Sequence, residues 1–123
     1  MRRGDVVLVS GKGDYGKSRP AVVIQSDYLS DGLDSITICP LTSDTLRSGA
    51  IRIGIEPTPD NGLKLPSDMM VDKVQTYPKT KVFGPIGAVS GADMRRLDQA
   101  LMFFFQLDQI GSSAPSRPVV REE

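Results

Sequence analysis

The hydrophobic pattern of this chain predicts several short strands followed by one helix. Segments rich in valine and isoleucine alternate with segments of glycine, proline and polar residues, which is typical of strands joined by turns. The fourth strand is the clearest, because Ile51, Ile53 and Ile55 share one face of a period-two pattern. Six strands are predicted, over residues 5–10, 20–25, 35–42, 50–56, 68–72 with a potential extension to 76, and 82–89 with a break at Gly84-Pro85.

Two prolines fall inside these segments. Proline cannot donate a backbone hydrogen bond, so we expect Pro20 to be the first residue of its strand. For the same reason, Pro40 within the third strand indicates a bulge or an edge position. Strands in direct succession, closed by one helix, favour a small, strongly bent sheet or barrel over an alternating βαβ fold.

The helix is predicted from about Ser90 to Ile110. Ser90 and Asp93 have the spacing of a capping box, in which each side chain bonds the backbone N–H of the other residue. Gly111 suits the left-handed position that ends a helix. Residues 111–123 lack periodicity and are predicted to be a disordered tail, so the folded domain is expected over residues 1–110.

The apolar face of this helix is unusually wide. It covers about 220°, whereas a stripe of roughly 100° is enough to cover one core. The excess predicts a second apolar neighbour, most simply another subunit. The face consists of Met94, Leu97, Leu101, Phe104 and Phe105, extended by Ala100, Phe103, Leu107 and Ile110.

Length and charge narrow the classes of protein. The chain has 123 residues, enough for one compact domain. It contains neither an apolar run of the roughly 20 residues that span a bilayer nor a signal peptide, so we expect a cytoplasmic protein without a membrane segment. Fifteen basic and fifteen acidic side chains give a net charge of zero, which argues against nucleic-acid binding by bulk field alone.

The chain contains no histidine and one cysteine, Cys39. The missing imidazole excludes a Ser-His-Asp triad, a Cys-His dyad, a two-histidine ribonuclease site and an imidazole metal ligand. One cysteine excludes an internal disulfide and a CxxC pair, and a lone cysteine in an apolar stretch is typically buried. The candidate chemistry therefore falls to arginine, carboxylates and hydroxyls.

Three places could carry that chemistry. Arg19 follows a glycine-rich loop and precedes a rigid strand start; its planar charged group suits phosphate oxygens, or it could pair with a surface carboxylate. Thr42 and Ser43 end a strand and could donate to a phosphate, or could cap the turn beyond. Asp72 could act as a base or read a nucleobase edge, or could simply pair with Lys73.

Several motifs in this order and spacing resemble the MazF/PemK family of bacterial toxins. The likeness covers about residues 2–110. Each motif is weakly specific, but the ordered set is fairly specific. The motifs are residues 4–9, residues 16–27 with Arg19-Pro20, Cys39-Pro-Leu-Thr-Ser43, Asp72-Lys-Val-Gln-Thr76, Ile86-Gly-Ala-Val-Ser90 and the amphipathic helix that follows.

The resemblance implies a mainly β fold, an SH3-like barrel of antiparallel strands with a C-terminal helix, assembled as a homodimer. Arg19 falls on the family's catalytic arginine, Thr42 on its catalytic threonine or a neighbouring hydroxyl, and Asp72 on an acidic position used for catalysis or base contact. The loop over residues 11–18 falls on a flexible segment that covers RNA. The residues predicted to contact RNA are Lys12, Lys17, Ser43 and Gln75.

The activity that the resemblance implies is ribosome-independent cleavage of single-stranded mRNA by the toxin of a type II toxin–antitoxin module. The reaction is expected to be metal-free and to proceed by 2′-OH attack, with a cognate antitoxin wrapping the dimer. Two departures matter: Met70 stands where some members carry an arginine, and the first loop lacks the histidine of others. Both favour a site built on Arg19 and Thr42.

Two other functions fit the same fold. CcdB-type toxins bind DNA gyrase and catalyse nothing, and they use the end of the C-terminal helix, which here runs into the loose tail after Ile110. A catalytically inactive barrel could instead serve as an antitoxin-binding module. Incubation of a labelled RNA with the pure protein separates both from the ribonuclease.

Overall fold

The computed structural model describes residues 1–11, 17–45 and 51–107. Lys12, the predicted helix end at residues 108–110 and the predicted tail at 111–123 lie outside this part of the chain. The described strands are β1 (Asp5–Ser10), β2 (Ser18–Val23), β3 (Ser35–Thr42), β4 (Arg52–Ile55), β5 (Ser67–Met70), β6 (Gln75–Pro78) and β7 (Val82–Ala88). The helix α1 spans Gly91–Phe104, and 3₁₀ turns span Val71–Lys73 and Lys79–Lys81.

The described strands form one antiparallel sheet that is not closed. Its order is β4-β5-β3-β2-β1-β7, and β6 also pairs with β3. Strand β3 therefore has three partners. One edge pairs with β2, while the other pairs first with β6 along Ser35–Ile38 and then with β5 at Leu41 and Thr42. The predicted antiparallel β fold with a C-terminal helix is confirmed.

The two prolines lie where the sheet changes partners. Pro40 pairs with Ala21 on one side and lies between the β6 and β5 pairings on the other, so β3 is a central strand and the predicted edge position is wrong. Pro20 is the third residue of β2, since that strand begins two residues before the predicted start and pairs with β1 from Ser18 onward. The missing N–H of each proline is tolerated because the neighbouring ladder has a gap there.

Apolar side chains are buried on both faces of the sheet. Along β1, Val6 belongs to one core cluster, whereas Val7 and Val9 belong to the other. Helix α1 covers the first cluster with Leu97 and Leu101, which are buried. Phe104 and Phe105, which continue the predicted apolar arc, are 41% and 50% exposed in the single chain, as expected for an arc wider than one core needs.

Two arginines fix α1 to the sheet. Arg3, next to β1, donates to both carboxylate oxygens of Asp98 at 3.1 and 2.7 Å and to the carbonyl of Ile24 at 2.8 Å. Arg96 donates to the carbonyl of Gly54 at 2.9 Å. The bidentate pairing of Arg3 with Asp98 is geometrically specific. The position of the helix is therefore set by polar contacts as well as by its apolar face.

The ends of α1 differ from the prediction. Ser90 caps the helix by accepting from the Asp93 N–H at 3.1 Å, but the Asp93 carboxylate accepts from Arg96 instead of completing the capping box. The helix ends at Phe104, six residues before the predicted end, and Gln106 takes the left-handed conformation at φ 61° that was expected of Gly111. Among the described residues, no helix is long and apolar enough to cross a membrane.

The eleven-residue connection between β4 and β5 has no regular structure but is held in place by side-chain hydrogen bonds. Asn61 is 2% exposed; its carbonyl oxygen accepts from the Thr58 and Leu63 N–H groups, and its amide donates to the Glu56 carbonyl at 2.9 Å. Strand β7 crosses this loop so closely that a Cβ on Gly87 would lie 2.4 Å from the backbone of Asn61. Such contact requires glycine and holds the loop against the sheet.

Candidate active site

An open cleft of about 830 Å³ lies on the sheet face formed by β1, β2 and β3. Arg19, Thr42, Asp72 and Gln75 all line it, although they are far apart along the chain. The strand order explains how the first two come to the same cleft. The pairing of β2 with β3 ends at Ala21 and Pro40, and Arg19 and Thr42 each lie two residues beyond it, at the same end of these neighbouring strands.

The Thr42 hydroxyl has a fixed partner and a free proton. Its oxygen accepts from the Asp44 N–H at 3.1 Å, which is the turn-capping role weighed from the sequence. A hydroxyl both accepts and donates, so the same group can still donate its hydrogen to a phosphate oxygen. Capping and phosphate binding are therefore compatible, because the cap holds the hydroxyl in place for the second contact.

Arg52 braces this turn, and sequence reasoning did not find it. Its Nη1 donates to the Asp44 carbonyl at 2.9 Å and lies 3.6 Å from Oδ2 of Asp68, and both side chains are 15% exposed. Asp68 is the β5 partner of Thr42, and Arg52 is the β4 partner of Met70. The alternating pattern places Arg52 opposite the isoleucines, but only the pairing of three strands shows what it reaches.

Asp72 lies in the 3₁₀ turn Val71–Lys73 between β5 and β6, not on the predicted strand. The chain must turn there because β5 and β6 pair with different halves of β3. One carboxylate oxygen, Oδ2, lies 3.7 Å from Nζ of Lys73. The other, Oδ1, is buried and has no hydrogen-bond partner among the described residues. A buried acceptor without a partner costs free energy. The Asp72 side chain as a whole is 24% exposed and lines the cleft, so its accessible part is a candidate contact for a substrate hydroxyl.

Cys39 is buried on β3 near this carboxylate, as a lone apolar-flanked cysteine is expected to be. Burial, together with the negative charge of Asp72, raises the pKa of the Cys39 thiol to about 12. The thiol is therefore neutral and unreactive at neutral pH. It is part of the core and not a nucleophile.

The other predicted RNA contacts are distributed unevenly. Gln75 lines the cleft, and its amide oxygen accepts from the Tyr77 hydroxyl at 2.5 Å, which leaves its amide nitrogen to donate to a base. Ser43 is exposed and lines an adjoining cavity. Lys17 is exposed but lines neither space, and Lys12 is outside the described residues. The described residues contain no group of three carboxylate or thiol side chains that could hold a metal ion.

The fold and the cleft together define a class of small antiparallel β proteins with a C-terminal helix, whose cleft is lined by a guanidinium, a hydroxyl and a carboxylate. A family model described as a PemK-like, MazF-like toxin of type II toxin–antitoxin systems matches residues 2–105. The chain belongs to this family, as its motifs predict.

Individual relatives agree. A protein of Mycolicibacterium smegmatis named as a probable endoribonuclease MazF is 41% identical over 105 residues, which cover 85% of this chain and 95% of that protein. The Mycobacterium tuberculosis toxin MazF-mt6 has the same fold, with a TM-score of 0.69 and 24% identity over 83% of this chain and 96% of that one. A mycobacterial endoribonuclease solved with its cognate antitoxin gives a TM-score of 0.71 at 20% identity, covering 87% of this chain and 96% of its own.

Proposed function

We propose that this MazF-type endoribonuclease toxin cleaves single-stranded mRNA without a metal ion or cofactor. The ribose 2′-OH attacks the adjacent phosphorus in line, and the bond to the 5′ oxygen breaks. The products are a 2′,3′-cyclic phosphate and a free 5′-OH. Because the nucleophile is the 2′-OH, DNA is not cleaved.

Arg19 and Thr42 are assigned to the phosphate. The guanidinium neutralises the charge that develops on the phosphorane and gives a proton to the leaving 5′ oxygen, while the Thr42 hydroxyl holds a non-bridging oxygen. The observation that supports this assignment is that Arg19 and Thr42, on two neighbouring strands, line the same cleft. The Thr42 hydroxyl is held by the Asp44 N–H before substrate arrives, which is the property that makes such donors effective in a transition state.

Asp72 is assigned to the attacking hydroxyl. It removes the proton of the 2′-OH, and the support is that its side chain, which is 24% exposed, lines the cleft. A general base must lie within hydrogen-bond reach of the proton that it takes, and Asp72 lines the same cleft as the phosphate-binding pair. Gln75 and Lys73 line the cleft beside it and are placed to contact the flanking base and phosphate.

The proposed partners are a second copy of the chain and a cognate antitoxin, and the proposed location is the cytoplasm. The end of α1 exposes a patch of large apolar side chains, here called the aromatic end: Met102, Phe103, Phe104, Phe105 and Leu107. An exposed apolar patch of this kind marks a protein interface. A relative of the same fold binds an antitoxin, which supports the same arrangement here.

The test is to incubate the purified protein with total RNA, with and without EDTA, and to sequence the 5′-OH ends that appear. We expect cuts at a short recurring motif, unchanged by EDTA and reduced about 10²- to 10³-fold by Arg19→Ala. Arg95→Ala is the matched control, since Arg95 is exposed on α1 away from the cleft. Loss of cleavage in EDTA contradicts the metal-free reaction. Absence of cutting on all RNAs favours a gyrase-binding toxin or an inactive antitoxin-binding module.

A further inference from the structure

A second cavity of about 610 Å³ adjoins the cleft. The two spaces share Arg19, Pro20, Leu41 and Thr42, so the assigned phosphate position lies at their boundary. RNA is a continuous chain, and a phosphate held at that boundary has one nucleotide on each side. The cleft with Asp72 and Gln75 lies on one side of this boundary, and the second cavity lies on the other.

The chemistry of the second cavity differs from that of the cleft. Its wall includes Leu65 and Ile86, which are 58% and 40% exposed, together with Leu8 and Leu63. Large aliphatic side chains with this exposure can pack against the flat face of a nucleobase. All four bases have a flat face, so this contact does not depend on which base is present. Lys64, exposed on the same loop, supplies the positive charge that a further phosphate requires.

The wall of this cavity is already in position. The loop that carries Lys64 and Leu65 follows Asn61, whose buried side chain bonds three backbone groups. On the other side, a Cβ at Gly62 would lie 2.4 Å from the carbonyl oxygen of Ile86, so loop and strand are in direct contact. A preformed surface binds a nucleotide without the cost of ordering a loop.

We propose that the second cavity holds the nucleotide on the side of the scissile phosphate opposite to Asp72. Its base packs on Leu65 and Ile86, and Lys64 contacts the phosphate beyond. This inference rests on the proposed function. It has a consequence for specificity, because the apolar surface accepts any base by its face, whereas the polar groups of the cleft read base edges. Sequence discrimination is therefore concentrated on one side of the cut.

The experiment uses a short RNA that contains the mapped cleavage site, with one abasic residue placed at each position beside the cut. At the position that the second cavity holds, we expect loss of the base to raise KM by about 5- to 50-fold. Exchange among the four bases at that position should change KM by less than about threefold. Leu65→Asp removes most of the abasic effect, because residues that share a contact are not additive. Leu29→Asp is the matched control: Leu29 is 53% exposed and lies in neither space.

A second variant covers the case in which Leu65→Asp folds poorly. In Lys64→Ala, the dependence of the RNA-binding constant on salt concentration should weaken by about one phosphate contact. Lys81 is exposed and lies outside both spaces, so Lys81→Ala should leave this dependence unchanged. The inference is overturned if wild type cuts the RNA but an abasic residue on either side of the cut leaves KM unchanged. It is also overturned if Leu65→Asp alone dissociates a dimer, because that would show that a second copy covers the cavity. If wild type cuts no RNA, the proposed function falls with it.

Discussion

At the scale of single residues, Thr42 shows how one side chain serves two needs. Its oxygen caps the turn through Asp44, and its proton remains to donate. The sequence presents these as alternatives, because it shows two adjacent hydroxyls at a strand end without showing which atoms they contact. Arg52 is harder to predict, since its contact with the Asp44 carbonyl depends on β4 lying beside β5.

Substitution of Arg52 tests whether it positions Thr42 or only stabilises the fold. In Arg52→Ala, the turn after Thr42 loses the hydrogen bond to the Asp44 carbonyl. We expect kcat to fall about 10- to 100-fold with little change in KM, because a small misplacement of a reacting group slows the chemical step. Single-turnover cleavage and urea unfolding are measured on the same sample. Wild-type kcat in a folded but less stable variant would show a structural role only. Arg95→Ala again serves as control.

The buried thiol of Cys39 predicts a pH dependence of stability. Its pKa is about 12 in the folded protein, above the ordinary value of 9.0, so the folded chain keeps a proton that the unfolded chain loses. The stability that the protonated thiol contributes is fully present below about pH 9 and is lost as pH rises towards 12. The unfolding free energy of wild type should therefore fall more steeply above pH 9 than that of Cys39→Ala. Equal slopes for the two proteins would contradict this assignment.

At the scale of elements, strands β1 and β3 follow directly from their local pattern. The segment at 67–78 does not, because its apolar run gives no sign that β5 and β6 pair with different halves of β3. The end of α1 was also misplaced: its aromatic residues continue the helical period beyond Phe104, where the helix stops. In both cases the boundary is decided by tertiary contacts and not by local preference.

The close crossing of β7 over the β4–β5 loop makes Gly87 a strict requirement. A Cβ at this position would lie 2.4 Å from the Asn61 backbone, so Gly87→Ala should lower the unfolding free energy by about 1–3 kcal/mol. Gly91→Ala is the control, since its Cβ would meet only the end of Arg95 at 3.5 Å within α1. The unfolding free energies of both variants are measured in urea. If Gly87→Ala is as stable as Gly91→Ala, the loop moves aside at no cost and the requirement for glycine is contradicted.

At the scale of the whole molecule, the aromatic end of α1 predicts self-association. The sequence showed an apolar arc too wide for one core, and the single chain leaves Phe103 68% exposed. We expect sedimentation to give twice the monomer mass for wild type and the monomer mass for Phe103→Asp, with Leu29→Asp unchanged. A monomeric wild type, or a Phe103→Asp dimer, would contradict the assignment of this surface to a second copy.

The family and the members of the cleft were predictable for different reasons. The ordered motifs identified the family, and the same motifs carried Arg19, Thr42 and Asp72 into one site. Nothing in the sequence alone showed that the cleft continues into a second cavity, because Leu65 and Ile86 belong to a loop and a strand whose contact, for example that of Gly62 with Ile86, is tertiary.

The most direct measurement is a double-mutant cycle of Arg19→Ala and Thr42→Ala on single-turnover RNA cleavage. If both groups act on one phosphodiester, each single variant loses about 10²- to 10³-fold, and the double variant loses little more than the worse single one. Fully multiplied losses in the double variant would show that the two groups act independently, and cleavage at the wild-type rate in either single variant would remove it from the site.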